Sequence, residues 1–365
     1  GNVYVDKTEL INTLVSKGKY YFLSRPRRFG KSLLLSTIEA FYEGRQDLFA
    51  GLAISKHVHS WERHPVFRLN FVNADTSSQE GLKSLIEDHL REWEKFYGSP
   101  DTGLEPAQRF FGVIQRAVEQ TGHKAVVLID EYDKALVSTI DNQELHDNFR
   151  NILKPIYATL KAADRYIRFA MLTGVTRFSR LSIFSDINNL KDISLTEEFA
   201  TICGITEKEI RATLGAGVKL FANHNNITEE EAFEMLRTNY DGYHFCANSP
   251  DIYNPYSLLN ALDDKKVGSY WFATGTPTFL IKRLRNKSGE VKDFFNRSAD
   301  RTTLSSISIS ATDITAILFQ TGYLTIKSMD KFTGDYILGI PNREVRHGIF
   351  TEMLPVFAGT GSDES

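Results

Sequence analysis

The sequence predicts an α/β protein, a parallel sheet sandwiched by helices, followed by a helical part and a small α+β part. Three observations carry this. Short apolar runs alternate with helical periodicity through the first half. Ala125-Val-Val-Leu-Ile129 is a continuous β-branched-rich run, as expected of a strand covered on both faces. Beyond about Ile202 the pattern changes to closely spaced helices, and the last third closes on two strands.

In chain order, Tyr20–Leu23 is the first strand, and a turn leads to a helix over Ser32–Tyr42. Val66–Phe71 is the second strand. Two amphipathic stretches follow, Ser77–Tyr97 and Ala107–Gln120, and then the buried run at 125–129. A helix over Asn142–Asp164 and a strand over Ile167–Thr173 complete the first half. Thr206 with Glu209 fits a capping box, and helices follow through Thr238. Tyr256–Leu262 is helical beyond a break at Pro255. A helix over Thr312–Gln320 precedes strands at Gly322–Lys327 and Asp335–Ile340, which is the pattern of a winged helix or of a small α+β cap. No internal repeat or low-complexity region is present.

The bulk numbers suit an ordinary globular chain. It has 365 residues, 42% apolar and 24% charged, with 46 acidic against 43 basic residues for a net charge of −3. That balance gives no global reason to expect nucleic acid. Two cysteines, Cys203 and Cys246, form no metal-like spacing, and a reducing cytoplasm is expected. No transmembrane run or signal peptide is evident. Asn2-Val-Tyr-Val-Asp6 reads as mid-segment, so the chain is expected to be a piece of a longer protein.

Ser24-Arg-Pro-Arg-Arg-Phe-Gly-Lys-Ser32 lies directly between a strand and a helix. In a P-loop the amides at the helix N-terminus wrap phosphates, where dipole and unpaired N–H groups favour an anion. Gly30 would allow close backbone approach, Lys31 would reach the β- and γ-phosphates, and the Ser32 hydroxyl would bind Mg²⁺. The usual first glycine is replaced by Arg25. The plain alternative is a turn before an ordinary helix with a solvated lysine. Arg25, Arg27 and Arg28 are either phosphate ligands or a basic surface.

A second motif is Val126-Val-Leu-Ile-Asp-Glu131, a buried strand ending in two acids at the carboxyl edge, where open α/β sheets bind ligands. Asp130 would hold Mg²⁺, and Glu131 would activate the attacking water as a base. The alternative is a strand that simply leaves the core. Thr173 ends the next strand, where its hydroxyl can meet the γ-phosphate or the water, or merely close the strand.

Together, Arg25-Pro-Arg-Arg-Phe-Gly-Lys-Ser-Leu33, Leu128-Ile-Asp-Glu-Tyr-Asp133, Thr173-Gly-Val-Thr-Arg-Phe-Ser179 and Tyr240-Asp-Gly-Tyr-His-Phe245 resemble the predicted AAA-ATPase-like family of bacterial proteins. So do Tyr4-Val-Asp-Lys-Thr8, Tyr253-Asn-Pro-Tyr-Ser-Leu258 and Ile340-Pro-Asn-Arg-Glu-Val345, and the resemblance spans nearly the whole chain. It implies an AAA+-like P-loop core over residues 1–202, a helical lid over 203–285, a winged-helix-like module over 286–358 and a flexible tail over 359–365. In that family an arginine at the first loop position is normal. The nucleotide-binding stretch is then Arg25, Pro26, Arg27, Arg28, Phe29, Gly30, Lys31, Ser32 and Leu33. The resemblance also places Tyr4, Asp6 and Lys7 near the base, though a strand or capping role explains them equally. Members commonly carry a C-terminal PD-(D/E)XK nuclease-like domain, and none is expected within these 365 residues.

The expected activity is Mg²⁺-dependent hydrolysis of ATP to ADP and phosphate, coupled to an attached or partner effector. The competing reading is a nucleotide-dependent switch that binds DNA or a protein. A small-molecule kinase fits less well, because no acceptor-site motif is present. Arg177 and Arg180 are candidate fingers acting across a homo-oligomer, or else surface arginines or partners in a salt bridge to Asp186 or Asp192, which is the expected role for Arg180. Tyr240-Asp-Gly-Tyr243 reads as a structural turn. Lys282, Arg283, Arg285, Lys287 and Lys292 are basic, but Asp293 and Asp300 interrupt them, which suits a solvated face better than a DNA footprint.

Overall fold

The computed structural model describes residues 3–99, 103–177, 189–274, 297–305 and 314–353. They form two compact units. One comprises Asp6–Ser24 and Lys31–Ile193; the other comprises Gly1–Val5, Arg25–Gly30 and Ser194–Ser365. Among the described residues no helix is long and apolar enough to cross a membrane.

The first unit is a five-stranded parallel sheet. Its strands are β1 (Tyr20–Ser24), β2 (Val66–Asn70), β3 (Ala125–Asp130), β4 (Ile167–Gly174) and β5 (Lys191–Asp192), in the order β2-β3-β4-β1-β5. All residues of β1 and β3 are buried, while β2, at an edge, alternates buried and half-buried positions. Helix α1 (Thr8–Lys17) enters β1, and α2 (Lys31–Tyr42) leaves it. Helices α3 (Gln79–Tyr97) and α4 (Pro106–Thr121) join β2 to β3, and α5 (Lys134–Ser138) with α6 (Gln143–Ala162) joins β3 to β4. The connection from β1 runs toward one sheet edge and those from β2, β3 and β4 toward the other. Right-handed crossovers therefore put α2 on one face and α3, α4 and α6 on the opposite face. The packing agrees, with α3, α4 and α6 touching one another and α2 lying on β3 and β4. Adjacent strands β1 and β4 send the chain in opposite directions, so their carboxyl ends border a topological switch point.

Helix α1 and the two-residue β5 were not anticipated from the sequence. Asp6 explains α1: its carboxylate accepts from the Thr8 amide (2.8 Å), the Thr8 hydroxyl (2.6 Å) and the Ala53 amide (2.8 Å), so it fixes the helix entrance. Burial pushes the Asp6 carboxyl up, and these donors outweigh it and hold the acid below its ordinary range.

In the second unit, Thr206 forms the expected capping box with Glu209 ahead of α7 (Glu207–Glu209), which continues through a π turn into α8 (Gly215–Asn225). Helices α9 (Glu229–Tyr240) and α10 (Pro255–Asp264) pack around Ile210, Phe221, Leu236, Tyr253 and Leu258. Pro255 is the first residue of α10 rather than a break before it, because a missing N–H costs nothing there and Asn254 supplies the cap. Strand β6 (Arg297–Ala299) and helix α11 (Arg301–Leu304) precede α12 (Thr315–Thr321). Strands β7 (Thr325–Met329) and β8 (Tyr336–Gly339) complete an antiparallel sheet in the order β6-β8-β7. Strand β7 starts three residues later than the sequence suggests, since Gly322 closes α12 in the left-handed region at φ 93°. Lys282, Arg283, Arg285, Lys287, Lys292, Asp293 and the tail lie outside the described residues; Asp300 caps α11 through the Thr303 amide at 2.6 Å.

Helix α13 (Arg343–Gly348) carries a buried carboxylate, Glu344, which accepts from the Ser257 hydroxyl and the Trp271 amide, both at 2.7 Å. Burial pushes its carboxyl up to about 7, against the pull of those two donors. A folded pKa above the unfolded one means the contribution to stability is full at low pH and is lost as pH rises through 7. Up to about 3 kcal/mol is involved between pH 4.5 and pH 7. Glu344→Gln can keep the Trp271 bond through its amide oxygen and donate its NH2 to the Ser257 hydroxyl, and is expected to flatten that slope. Denaturant titrations of both proteins at pH 5 and pH 8 measure it; parallel slopes would refute the assignment.

Candidate active site

All strands of the first unit run parallel, so their carboxyl ends share one edge. Register sets Asn70 beside Asp130, and Ile129 beside Leu172. Asp130 and Thr173 are both fully buried, and the Thr173 hydroxyl donates to Asp130 Oδ1 at 2.9 Å. Thr173 thus holds the acid in place. Lys31, also buried, opens α2, with Ser32 exposed beside it. Glu131 follows Asp130 at φ 52°, a left-handed position that side-chain-bearing residues occupy only at a cost. Its carboxyl is pushed up by burial, with the Lys31 charge opposing. Lys31 opposes the same burial effect at Asp133, so one cation lies within electrostatic reach of both acids.

The stretch Arg25–Gly30 is organised by the second unit. Arg25 is 1% exposed, donates to Ser194 O (2.8 Å), Phe199 O (3.2 Å) and Ala200 O (3.3 Å), and lies over the Phe245 ring at 4.0 Å. The side chain is thus committed to buried carbonyls of its own unit rather than exposed as a basic surface. This also accounts for an arginine at the usual glycine position: Arg25 is not among the positive-φ residues, so nothing there requires glycine. Phe29 is buried edge-on against Tyr243 and Phe245, and its carbonyl accepts from Gly204 N at 3.1 Å. The Arg27 carbonyl accepts from Trp271 Nε1 at 3.2 Å, and the Arg28 guanidinium lies 4.7 Å from the Tyr256 ring. Pro26 is buried. The turn is completed by Arg28 at φ 67° and Gly30 at φ 90°. A Cβ on Gly30 would meet nothing within 4 Å, so backbone conformation alone requires glycine there.

Leu33 is 58% exposed and Tyr4 half-buried. Asp6 is committed to the start of α1. Arg177 is nearly buried and ion-paired with Asp192 in its own unit, so reaching a neighbouring subunit would mean breaking that pair. Phe178, Ser179, Arg180 and Asp186 lie outside the described residues.

A family described as Predicted AAA-ATPase matches residues 1–184, half of the chain and nearly all of the parallel-sheet unit. The chain belongs to the predicted AAA-ATPase family. It is also 34% identical over 353 residues to an "Uncharacterized protein in vnfD 5'region" of Azotobacter chroococcum mcd 1. That alignment takes in 96% of this chain but only 66% of the relative's length. Membership in a predicted AAA-ATPase family suggests nucleotide binding and hydrolysis.

In this predicted AAA-ATPase two further residues shape the edge, and sequence reasoning assigned neither a role. Arg68 of β2 donates to Glu39 Oε2 (2.7 Å), Ser36 Oγ (2.8 Å) and Ser32 O (3.4 Å), and stands 3.5 Å from Asp130 Oδ2. It ties the first turns of α2 to the acid of β3. Asp133 is buried and accepts from Val175 N (3.1 Å), Thr176 N (2.6 Å) and Thr176 Oγ1 (2.5 Å), which fastens the exit of β3 to that of β4. Gly174 permits this closeness, since a Cβ there would lie 2.4 Å from Asp133 Oδ1. The only sequence signal for Arg68 was a cation inside a strand, and Asp133 sat unassigned within the acidic motif.

Proposed function

We propose that this chain binds ATP with Mg²⁺ at the carboxyl edge of its parallel sheet and hydrolyses it. The observation carrying the reading is that Lys31 and Ser32 open α2 while Asp130 ends β3 and Glu131 follows it, with Lys31 within electrostatic reach of Glu131. A buried lysine at a helix N-terminus, next to a left-handed turn, suits a polyphosphate because the helix dipole and the ammonium both favour negative charge.

Each residue then has a task. The Lys31 ammonium would bridge the terminal phosphates and stabilise charge as the bond to the leaving oxygen breaks. Glu131 would take a proton from the attacking water, and its raised pKa makes it a stronger base than an exposed glutamate. The Ser32 hydroxyl and Asp130 are hard oxygen donors that suit Mg²⁺. Asp130 is oriented by Thr173, and Arg68 already sets a cation against its Oδ2, so the acid is built to face positive charge. Mg²⁺ at that oxygen, directly or through water, would need Arg68 to swing aside. When bound, the ion would neutralise phosphate charge. Lys31 continues directly from Arg25–Gly30, so phosphate binding would bear on the second unit through that stretch, a covalent route for passing nucleotide state to an effector.

Isothermal titration of the chain with ATP and Mg²⁺ tests the reading. Lys31→Ala is expected to weaken binding about 10- to 100-fold, the loss of charge-assisted hydrogen bonds to phosphate. No magnesium-assisted affinity in the native chain, or equal affinity in the variant, would overturn it.

A further inference from the structure

At the opposite, amino edge of the parallel sheet, the segments entering β2 and β3 bring together Glu62, His64 and His123, and we propose that these three bind a zinc-like divalent cation. Each offers one ligand atom, and all three atoms lie within 4.8 Å of one another. Glu62 Oε2 is 3.8 Å from His64 Nε2 and 3.9 Å from His123 Nδ1. A tetrahedral site with bonds of about 2.0–2.2 Å has ligand–ligand edges of about 3.3–3.6 Å. These two edges therefore need to close by only a few tenths of an ångström, and the His64–His123 edge, within 4.8 Å, by at most about 1.5 Å.

The cluster is also supported from behind, as metal sites are. His64 Nδ1 lies 2.7 Å from the Lys124 carbonyl, which can only accept, so Nδ1 carries the hydrogen and Nε2 presents its lone pair toward Glu62. A ligating histidine that donates its other N–H to a backbone carbonyl is the common second-layer arrangement of protein zinc. The backbone is pinned on both sides. His64 N donates to Tyr42 O at 2.8 Å, and Val126 N donates to Pro65 O at 2.8 Å. Trp61 fixes the approach to Glu62 by packing on Phe41 and Phe49, with centroids at 5.6 and 5.1 Å.

Two imidazoles and a carboxylate are nitrogen and oxygen donors of the kind Zn²⁺ takes, with water or a further ligand as the fourth. Glu62 and His64 also line a cavity of about 310 Å³, shared with His57, His59 and Arg168, which gives a fourth ligand room to enter. The bound ion would clamp the β2 entry to the β3 entry, away from the edge that bears Lys31.

The test is titration of the nucleotide-free, magnesium-free chain with Zn²⁺ by calorimetry and with Co²⁺ by visible absorption. The expected result is one equivalent of metal with the strong absorption of tetrahedral Co²⁺. Glu62 and His123 have well-exposed side chains, so Glu62→Gln and His123→Asn should fold normally. Each should weaken Zn²⁺ at least about tenfold, while Lys31→Ala leaves it unchanged. The absence of stoichiometric binding by the native chain, or unaltered affinity in both variants, would overturn the proposal. Because no nucleotide is present, failure here is independent of the ATPase reading.

Discussion

Glu131→Gln is expected to cut ATP turnover by about 10²–10⁴-fold, the usual worth of a positioned general base, while ATP affinity stays close to native. The argument starts from the backbone. A glutamate at φ 52° sits where glycine is cheaper, so the chain retains a strained residue and, with it, a carboxylate beside Lys31. Burial raises that carboxyl's pKa despite the opposing lysine. A base must be ionised to act, so native turnover is expected to fall away on the acid side at a higher pH than an exposed glutamate would give. Glutamine preserves size and cannot take a proton. Single-turnover and steady-state rates across pH 5–9, with calorimetric affinities, separate the contributions. A variant that keeps most of its turnover would remove Glu131 from the chemistry. A variant that loses affinity as Lys31→Ala does would make it a binding group instead. A native chain that binds ATP and never turns it over would establish the switch reading.

The parts legible in the sequence were those whose signal is local and long. Residues 125–129 declared a buried strand because covering both faces leaves no room for alternation, and the acids that follow could only fall at the sheet edge. Helices α3 and α4 were readable because Leu82, Ile86, Leu90 and Phe110, Val113, Ile114, Ala117 keep helical spacing. What escaped was short or assembled at long range. Two residues of β5 carry no period. Helix α1 gains its entrance from Asp6, which also grips Ala53, a contact no window of sequence contains. The same holds within the candidate site. Lys31, Ser32, Asp130 and Glu131 were readable as motif ends, whereas Arg68 is recognisable only once β2 lies beside β3 and its guanidinium meets α2.

Arg25 is the sharpest case, and it yields the second large prediction. Sequence left it as either a phosphate ligand or surface charge; its observed partners, residues 194, 199 and 200, lie far along the chain. A buried guanidinium bonded to carbonyls is stabilising only while those bonds hold, since the desolvation of a charge has to be offset by them. Arg25→Ala removes at least two good charge-assisted hydrogen bonds, worth about 1.5–3 kcal/mol each, and strands buried carbonyls, while regained hydration of the lost charge offsets part of this. A net loss of about 3 kcal/mol is expected by urea unfolding followed by circular dichroism. Arg25→Lys should recover only part, because an ammonium cannot span the divergent carbonyls as the planar fork does. A phosphate ligand behaves in the opposite way: its removal weakens ATP binding and leaves stability nearly intact. Measuring unfolding and ATP affinity on the same two variants therefore decides between them. A stability change under about 0.5 kcal/mol, the range of an ordinary surface substitution, would return Arg25 to the phosphate-binding group.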